Sequence, residues 1–384
     1  MNKFTKDDLK RFRAESLYDK EQRTLANVSE WFNFWNDEVY VAFSGGKDSS
    51  VLADICGFWC GAVGATLHLV FVNTGLEYPE IQKHVKSFAE YLRNKYKIEV
   101  DLEILRPQMR FDEVIKKYGY PIIGKTVADQ VELGSNNLQE GKYSLRLRCL
   151  GVMADDAALL GLKMPTPQQL NKYEKAADGS KFENTKYKPL LDVDFRISAK
   201  CCDVMKKSPS HEYSERTGRK PIIATMASES LLREKNWLAS GCNAFDSEYP
   251  SSRPMSFWTE QDVLQYIKKH QIPIASVYGD VEYVDDPEQI RFEDLDCDLI
   301  GNEKLHTTGC QRTGCIFCGF GCHREEPPSR FERLKITHPR QYEYCIGGGE
   351  YNEDGIWQPS KEGLGMGHVF DVLNSIYGEG FIRY

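Results

Sequence analysis

Six consecutive residues, Ser44-Gly45-Gly46-Lys47-Asp48-Ser49, hold the means to bind a phosphate. Two glycines let backbone amides approach an anion closely, and a helix starting behind them would add partial positive charge. Lys47 can bridge phosphate oxygens, Ser44 and Ser49 can donate hydrogen bonds, and Asp48 can help to hold Mg²⁺. The spacing before Lys47 is too short for the GxxxxGK(S/T) loop, so this is a different kind of phosphate turn.

The second chemically loaded feature is sulfur. The chain has 12 cysteines, and in a reducing compartment metal or catalytic duty explains such a number better than disulfides do. Cys56, Cys60, Cys149, Cys242, Cys297 and Cys345 are scattered and read as small buried hydrophobes. Cys201 and Cys202 are adjacent, and Cys310, Cys315, Cys318 and Cys322 follow one another closely. Four thiolates in tetrahedral array serve an iron–sulfur cluster or zinc. The last four could form a self-contained site, either with spacings that begin like a plant-type ferredoxin or as a zinc knuckle. Adjacent cysteines suit iron better than an ordinary zinc finger.

These residues need elements to hold them. Apolar residues at helical spacing (Leu9, Phe12, Leu17, then Leu25, Val28, Trp31, Phe32) predict helices over 1–37. Val39 to Phe43 is a short β-rich run that leads straight into the phosphate turn, and a helical pattern resumes from Ser50. A second apolar run, Leu67 to Val72, ends at Asn73-Thr74-Gly75. Pro79 then opens another helix, and a third run spans Ile98 to Leu105. Strand, helix, strand, helix, strand predicts right-handed crossovers and a doubly wound, mostly parallel α/β sheet. Residues 161–194 read as a long polar excursion. A short helix is expected around Cys201 to Lys207, a strand at Pro221 to Met226, a helix from Ser228 or Glu229, and a capped helix after Thr259. The chain thus reads as an N-terminal helical segment (1–37), a nucleotide-binding domain (38–300) and a Cys-rich extension (301–384), whose last ~35 residues carry no readable pattern.

Composition bounds the function classes. With 384 residues, 41% hydrophobic and 28% charged, the chain can bury a core and is not a disordered protein. No apolar run approaches the ~18 residues of a membrane span, and Met1 to Asp8 has no signal-peptide core, so a cytoplasmic protein is expected. A net charge of −8 argues against a protein held on nucleic acid by bulk charge. Two local basic patches remain, Lys142 to Cys149 and the stretch from His323 through Arg330, Arg333 and Lys335 to Arg340.

The segment Val41 to Ser50, VAFSGGKDSS, resembles the PP-loop of the ATP pyrophosphatases, which cleave ATP between the α and β phosphates. Three further segments are similar to the phosphoadenylyl-sulfate reductase-like branch: Asn73-Thr74-Gly75-Leu76-Glu77-Tyr78-Pro79-Glu80, the ES-x-x-R element at Glu229-Ser230 to Arg233, and Arg253-Pro254 to Trp258 with Asp262-Val263 and Tyr266-Ile267. The resemblance covers about 38–320. It implies an adenine nucleotide α-hydrolase-like fold, ATP and Mg²⁺ as ligands, Lys47 and Asp48 as catalytic residues, and nucleotide contacts from Ser44, Gly45, Gly46, Lys47, Asp48, Ser49, Asn73, Thr74, Gly75, Glu229, Ser230 and Arg233. A Cys-Cys pair followed far downstream by Gly-Cys-x-x-Cys is similar to the [4Fe-4S] arrangement of adenylyl-sulfate reductases, which implies Cys201, Cys202, Cys315 and Cys318 as ligands.

Two departures bear on the reaction. Sulfite-forming reductases carry a nucleophilic cysteine in a Glu-Cys-Gly-Leu-His-like tail; this chain ends Gly-Glu-Gly-Phe-Ile-Arg-Tyr, and its last cysteine is Cys345. Met226 stands where the resemblance calls for a sulfonucleotide-binding Arg. A related group keeps loop and cluster but transfers sulfur, as in tRNA thiolation and DNA phosphorothioation. That likeness implies an ATP-dependent sulfurtransferase with a tRNA or DNA acceptor and a cysteine desulfurase as sulfur donor, with Cys149 or Cys322 as sulfur carrier. The alternatives are a sulfonucleotide reductase with a relocated nucleophile and a non-catalytic nucleotide- and metal-binding subunit.

Overall fold

The computed structural model describes residues 3–180, 182–284 and 304–384; Cys297 lies outside them. The chain divides into two compact units, one formed by Met1–Asn73, Glu77–Arg106 and Pro209–Gly314, the other by Thr74–Leu76, Pro107–Ser208 and Cys315–Tyr384. Among the described residues no helix is long and apolar enough to cross a membrane.

The first unit is built on the alternation read from the sequence. Helices α1 (Lys6–Arg13) and α2 (Leu17–Phe34) open it, started by Thr5 and Ser16, whose side chains accept the amide hydrogens of Asp8 and Asp19 as N-caps do. Then come β1 (Val39–Ala42), α3 (Lys47–Val63), β2 (Leu67–Val72), α4 (Pro79–Tyr96) and β3 (Val100–Leu105). The three strands pair in parallel, Val41 beside Leu69 and Val72 beside Leu105. The six-stranded sheet runs β3, β2, β1, Lys220–Ile222, Ser251–Ser252, Asn243–Ala244, and its last strand alone is antiparallel. Helix α3 is buried on nearly all sides (Val51, Leu52, Ala53, Ile55, Cys56), as a helix must be when it is sandwiched between a sheet and other helices.

The far end of the unit is tied back to α2 by polar groups. Asp262 closes the capping box of helix Glu260–His270 with Thr259 and accepts Lys20 Nζ at 2.7 Å in a buried pair. Trp258 Nε1 donates to Thr24 Oγ1 at 2.8 Å. Trp258 and Asp262, both part of the motif quoted above, thus anchor the fold.

In the second unit a segment around Tyr120–Ile123 gathers distant pieces of chain. Tyr120 bridges Ile197, and Ile122 and Ile123 pair in parallel with Gly319 and Phe320. Glycine permits both approaches: a Cβ on Gly119 would lie 2.5 Å from the Arg196 carbonyl carbon, and one on Gly319 2.8 Å from the Pro121 oxygen. The stretch read as a polar excursion holds a helix, Pro167–Ala177, begun by a Thr166–Gln169 capping box with proline in its first turn. Helices Arg330–Thr337 and Pro339–Ile346 lead into the C-terminal stretch that carried no readable pattern, which forms a two-stranded hairpin and helix Met366–Tyr377. Cys201 and Cys202 lead into a π-turn, Asp203–Lys207, and then helix Ser208–Thr217, so the expected short helix is longer than the spacing predicts.

Candidate functional site

The phosphate turn sits between β1 and α3, as expected. Gly45 has φ +72°, and a Cβ there would come within 2.8 Å of both Ile81 and Val85 on α4; glycine is needed for conformation and for space. Gly46 is the N-cap of α3 and offers no side-chain cap, which leaves the first-turn amides to other acceptors. Ser44 Oγ lies 3.0 Å from Ser49 Oγ, and Ser49 Oγ donates to the Gly46 carbonyl at 2.9 Å, so the two hydroxyls shape the turn from within.

Lys47 is buried. Its amide donates to Tyr278 Oη at 3.2 Å, and Tyr278 Oη in turn lies 2.6 Å from Thr313 Oγ1. Its ammonium donates to the Gln311 carbonyl at 2.7 Å and lies 2.9 Å from Glu260. Asp48 Oδ1 is buried and has no hydrogen-bond partner among the described residues. Burial raises the Asp48 pKa and Glu260 pushes the same way, while Lys47, Arg312 and Arg233 oppose them. A buried carboxylate oxygen with an unused lone pair suits a divalent cation.

Around this turn stand three guanidinium groups. Arg233 pairs with Glu229 one helical turn before it, and Arg312 lies 3.9 Å from the same Glu229. Burial lowers the Arg233 pKa, with Arg312 and Arg253 acting in the same direction; burial also lowers that of Arg253. Arg233 and Arg253 are half-buried and Arg312 is exposed, and such a gathering of like charge is what a polyphosphate would relieve. Glu229 also accepts the Met226 amide at 2.9 Å. Ser230 Oγ accepts the Arg233 amide as the cap of helix Leu231–Ser240, so the sequence-predicted Ser230 is a positioning residue. Sequence reasoning missed Tyr278, Thr313, Glu260, Arg253 and Arg312 as site residues. Arg253 stands in a quoted motif and could have been found; nothing local marks the others.

At the end of β2 the Asn73 amide donates to the Leu105 carbonyl at 2.8 Å. In the second unit Thr74 Oγ1 accepts the Leu76 amide at 3.2 Å. Gly75 has φ +76° with open space where a Cβ would be, so conformation alone calls for glycine there.

Cys201 and Cys202, and Cys315 and Cys318, are both delivered to the Tyr120–Ile123 segment of the second unit, the first pair just after Ile197 and the second just before Gly319. Cys201 shares a hydrogen bond with Cys202, which together with burial and the nearby Cys318 and Cys315 raises its pKa. The same bond lowers that of Cys202 to about 5; Lys125 and Lys206 help against the opposing burial. Burial raises Cys318, with Arg330 and Lys125 acting against it. Sulfurs more than a hundred residues apart in the sequence therefore sense one another beside Lys125, Lys206 and Arg330, the donor chemistry that a thiolate-bound cluster needs. Among the described residues, no three His, Cys, Asp or Glu side chains are spaced to hold a metal ion as they stand.

The other thiols behave differently. Cys310 belongs to the first unit, and its Sγ donates to the Arg312 carbonyl at 3.3 Å. Cys322 is buried, donates to the Gly319 carbonyl at 3.0 Å and is pushed up to about 12 by burial. Cys149 is buried and likewise raised. Burial thus disfavours the thiolate at both sequence-predicted sulfur carriers. Cys56, Cys60 and Cys345 are buried, as expected of small hydrophobes.

Comparison with known proteins adds the family. The chain matches the phosphoadenosine phosphosulfate reductase domain over residues 38–129 and 154–319, more than half of its length. It belongs to that family. The match takes in the phosphate turn, the strand-end Asn73-Thr74-Gly75, Glu229, Arg233 and Cys201, Cys202, Cys315 and Cys318. Similar proteins include two from Methanocaldococcus jannaschii: uncharacterized protein MJ0973, 28% identical over 118 residues, and uncharacterized protein MJ0066, 30% identical over 102 residues. The alignments take in 30% and 26% of this chain and 26% and 19% of those proteins, so the chain matches about a quarter or less of each relative's length. Family membership implies an enzyme of the nucleotide-binding, mostly parallel α/β type.

Proposed function

We propose that this phosphoadenosine phosphosulfate reductase-family protein activates an acceptor with ATP and serves sulfur transfer. ATP binds with its phosphates on Ser44–Ser49. An oxygen of the acceptor attacks the α-phosphorus, the bond from that phosphorus to the α,β-bridging oxygen breaks, and pyrophosphate leaves with the electron pair. A persulfide supplied by a cysteine desulfurase then attacks through its outer sulfur and displaces AMP, and a second thiol reduces the resulting acceptor–S–S–cysteine bond, leaving the sulfur on the acceptor and a disulfide between the two cysteines. The adenylate is needed because an unactivated oxygen is a poor leaving group.

The observation that carries this reading is the phosphate turn. It is a helix N-terminus that starts at Gly46 without a side-chain cap, with buried Lys47, an Asp48 oxygen that has no hydrogen-bond partner among the described residues, and Arg233, Arg253 and Arg312 close by. Lys47 and the arginines would neutralise charge building on the pyrophosphate, and Asp48 would hold Mg²⁺. The side chain of Met226, where a sulfonucleotide-binding Arg is called for, is buried, which favours this reading over sulfite formation. Cys201, Cys202, Cys315 and Cys318 are the residues that would hold a [4Fe-4S] cluster, and the lowered pKa of Cys202 suits a thiolate ligand. Such a cluster supplies iron sites able to bind sulfur or pass electrons.

Product analysis tests the proposal. With ATP, Mg²⁺, a tRNA or DNA acceptor and a sulfur donor, AMP and pyrophosphate should form in equal amounts. ADP and phosphate as products would overturn it, and so would sulfite release from a sulfonucleotide in the presence of a thiol reductant.

A further inference from the structure

The first basic patch visible in the sequence is spent on neighbouring acids, the second only in part. Lys142 lies 2.8 Å from Glu140, Arg146 3.9 Å from Asp129 and Arg148 2.6 Å from Glu174. In the second patch Arg330 pairs with Glu325. A further group of cations without acid partners among the described residues lies in the first unit. Between α4 and the ends of β2 and β3 lies a groove of about 610 Å³, a volume within the roughly 300–1,000 Å³ of ligand sites. Lys83 and Lys86, one turn apart on α4, and Arg106, just beyond β3, line it. Among the described residues none of the three has an ion-pair partner. Glu90 is the acid that lines the groove, at the far turn of α4.

Its position matters as much as its charge. Because β1, β2 and β3 are parallel and in register, Ser44, Asn73 and Arg106 leave their strands at the same edge of the sheet, about 5 Å apart from strand to strand. Asn73 lines the groove and belongs to the strand-end motif, so the groove opens on the same edge of the sheet as the phosphate turn, the edge where α/β sheets bind ligands. Its floor is apolar at Ile104, which is 40% exposed at the sheet edge. Three unpaired cations over an exposed apolar floor can take a chain of phosphates with a base or sugar face laid against the sheet.

We infer that this groove binds the phosphodiester backbone of a nucleic-acid acceptor and leads it toward the phosphate turn. The inference rests on the proposed activation of an acceptor and names that acceptor's chemical class. The chain's net charge of −8 makes the groove a local foothold that would lose its hold as salt rises.

The experiment is fluorescence anisotropy with a labelled single-stranded oligonucleotide across a salt series. It compares the wild type, the triple variant Lys83→Ala/Lys86→Ala/Arg106→Ala, and a control of equal charge change, Lys172→Ala/Lys175→Ala/Lys361→Ala. Thermal melting confirms that each variant is folded. The triple variant should bind about tenfold or more weakly, and its log–log salt slope should fall by about 2, at ~0.7 per phosphate contact on a single strand; the control should bind as the wild type does. Undiminished binding by the triple variant, an equal loss in the control, or no binding by the wild type at low salt would overturn the inference. Displacement of the oligonucleotide by an equal phosphate concentration of inorganic pyrophosphate would also do so, by showing a site for small anions. AMP formation by the wild type is scored separately. A protein that binds the oligonucleotide through these cations yet makes no AMP loses the activation reading and keeps the groove; the reverse result removes the groove alone.

Discussion

At the scale of single residues, the phosphate turn holds two groups whose removal separates chemistry from folding. Lys47 is the cation nearest the turn amides, and its ammonium is already drawn toward Gln311 and Glu260. Lys47→Ala should cut AMP formation by about 10²–10³, the usual cost of deleting one preorganised charge-stabilising donor. It should also destabilise the protein, because Glu260 loses its partner. Asp48 makes the opposite prediction for stability. Burial raises its pKa, so its folded-state stability is greatest at low pH and is lost as pH rises through the folded pKa. Asp48→Asn removes that buried charge at neutral pH. The variant should melt at or above the wild-type temperature without nucleotide and yet lose Mg²⁺-dependent AMP formation; a lower Tm combined with retained turnover would contradict both roles. Of these residues the sequence exposes the contiguous six, since a strand, a glycine pair and a helix start are local signals. Tyr278 and Thr313 reach the turn from more than two hundred residues away in the chain, where no spacing rule operates.

At the scale of elements, the packing of α3 on α4 carries a pH-sensitive contact. His84 Nε2 lies 3.1 Å from Ser50 Oγ, and the ring rests against Phe88 with centroids 5.1 Å apart. Burial lowers the His84 pKa from 6.5 to about 4. The folded state thus resists protonation more than the unfolded chain does, so stability is full above about pH 6.5, declines as pH falls toward 4 and levels off below. A shift of that size amounts to about 3 kcal/mol at most. Urea unfolding of the wild type and His84→Gln across that range should show a steeper decline for the wild type; parallel curves would remove His84 as the cause. The helices and the long strands were legible because their apolar residues recur at 3.6 or 2. Asn243–Ala244 and Ser251–Ser252 were not, since strands of two polar or small residues are held by backbone pairing at a sheet edge and carry no pattern of their own. Helix Pro167–Ala177 was readable from its capping box, but its polar face made the stretch look like loop.

At the scale of the whole molecule, cysteines separated by more than a hundred residues are delivered to one segment of the second unit, Tyr120–Ile123, by a bridge to Ile197 and a pairing with Gly319 and Phe320. The cysteine spacing left two ligand sets open, one distal and one local, because a sequence does not show which loops a short strand will gather. In the folded chain two thiols of the local set are engaged with backbone carbonyls, Cys310 with that of Arg312 and Cys322 with that of Gly319. Anaerobically purified protein should therefore be brown and hold about four irons per chain. Serine at Cys201, Cys202, Cys315 or Cys318 should each remove the iron, whereas Cys310→Ser and Cys322→Ser should retain it. Metal-binding energy is also folding energy, and the ligands would join three stretches of the second unit. Chelation should thus speed amide exchange around 119–124, 197–208 and 315–324 and leave β1, β2 and β3 of the first unit as protected as before. Stoichiometric zinc in place of iron would rule out the cluster. Iron lost from Cys310→Ser and Cys322→Ser but kept by Cys201→Ser and Cys202→Ser would move the site to the local set. Exchange that rises equally in both units would mean that the metal holds the whole chain together and not the second unit alone.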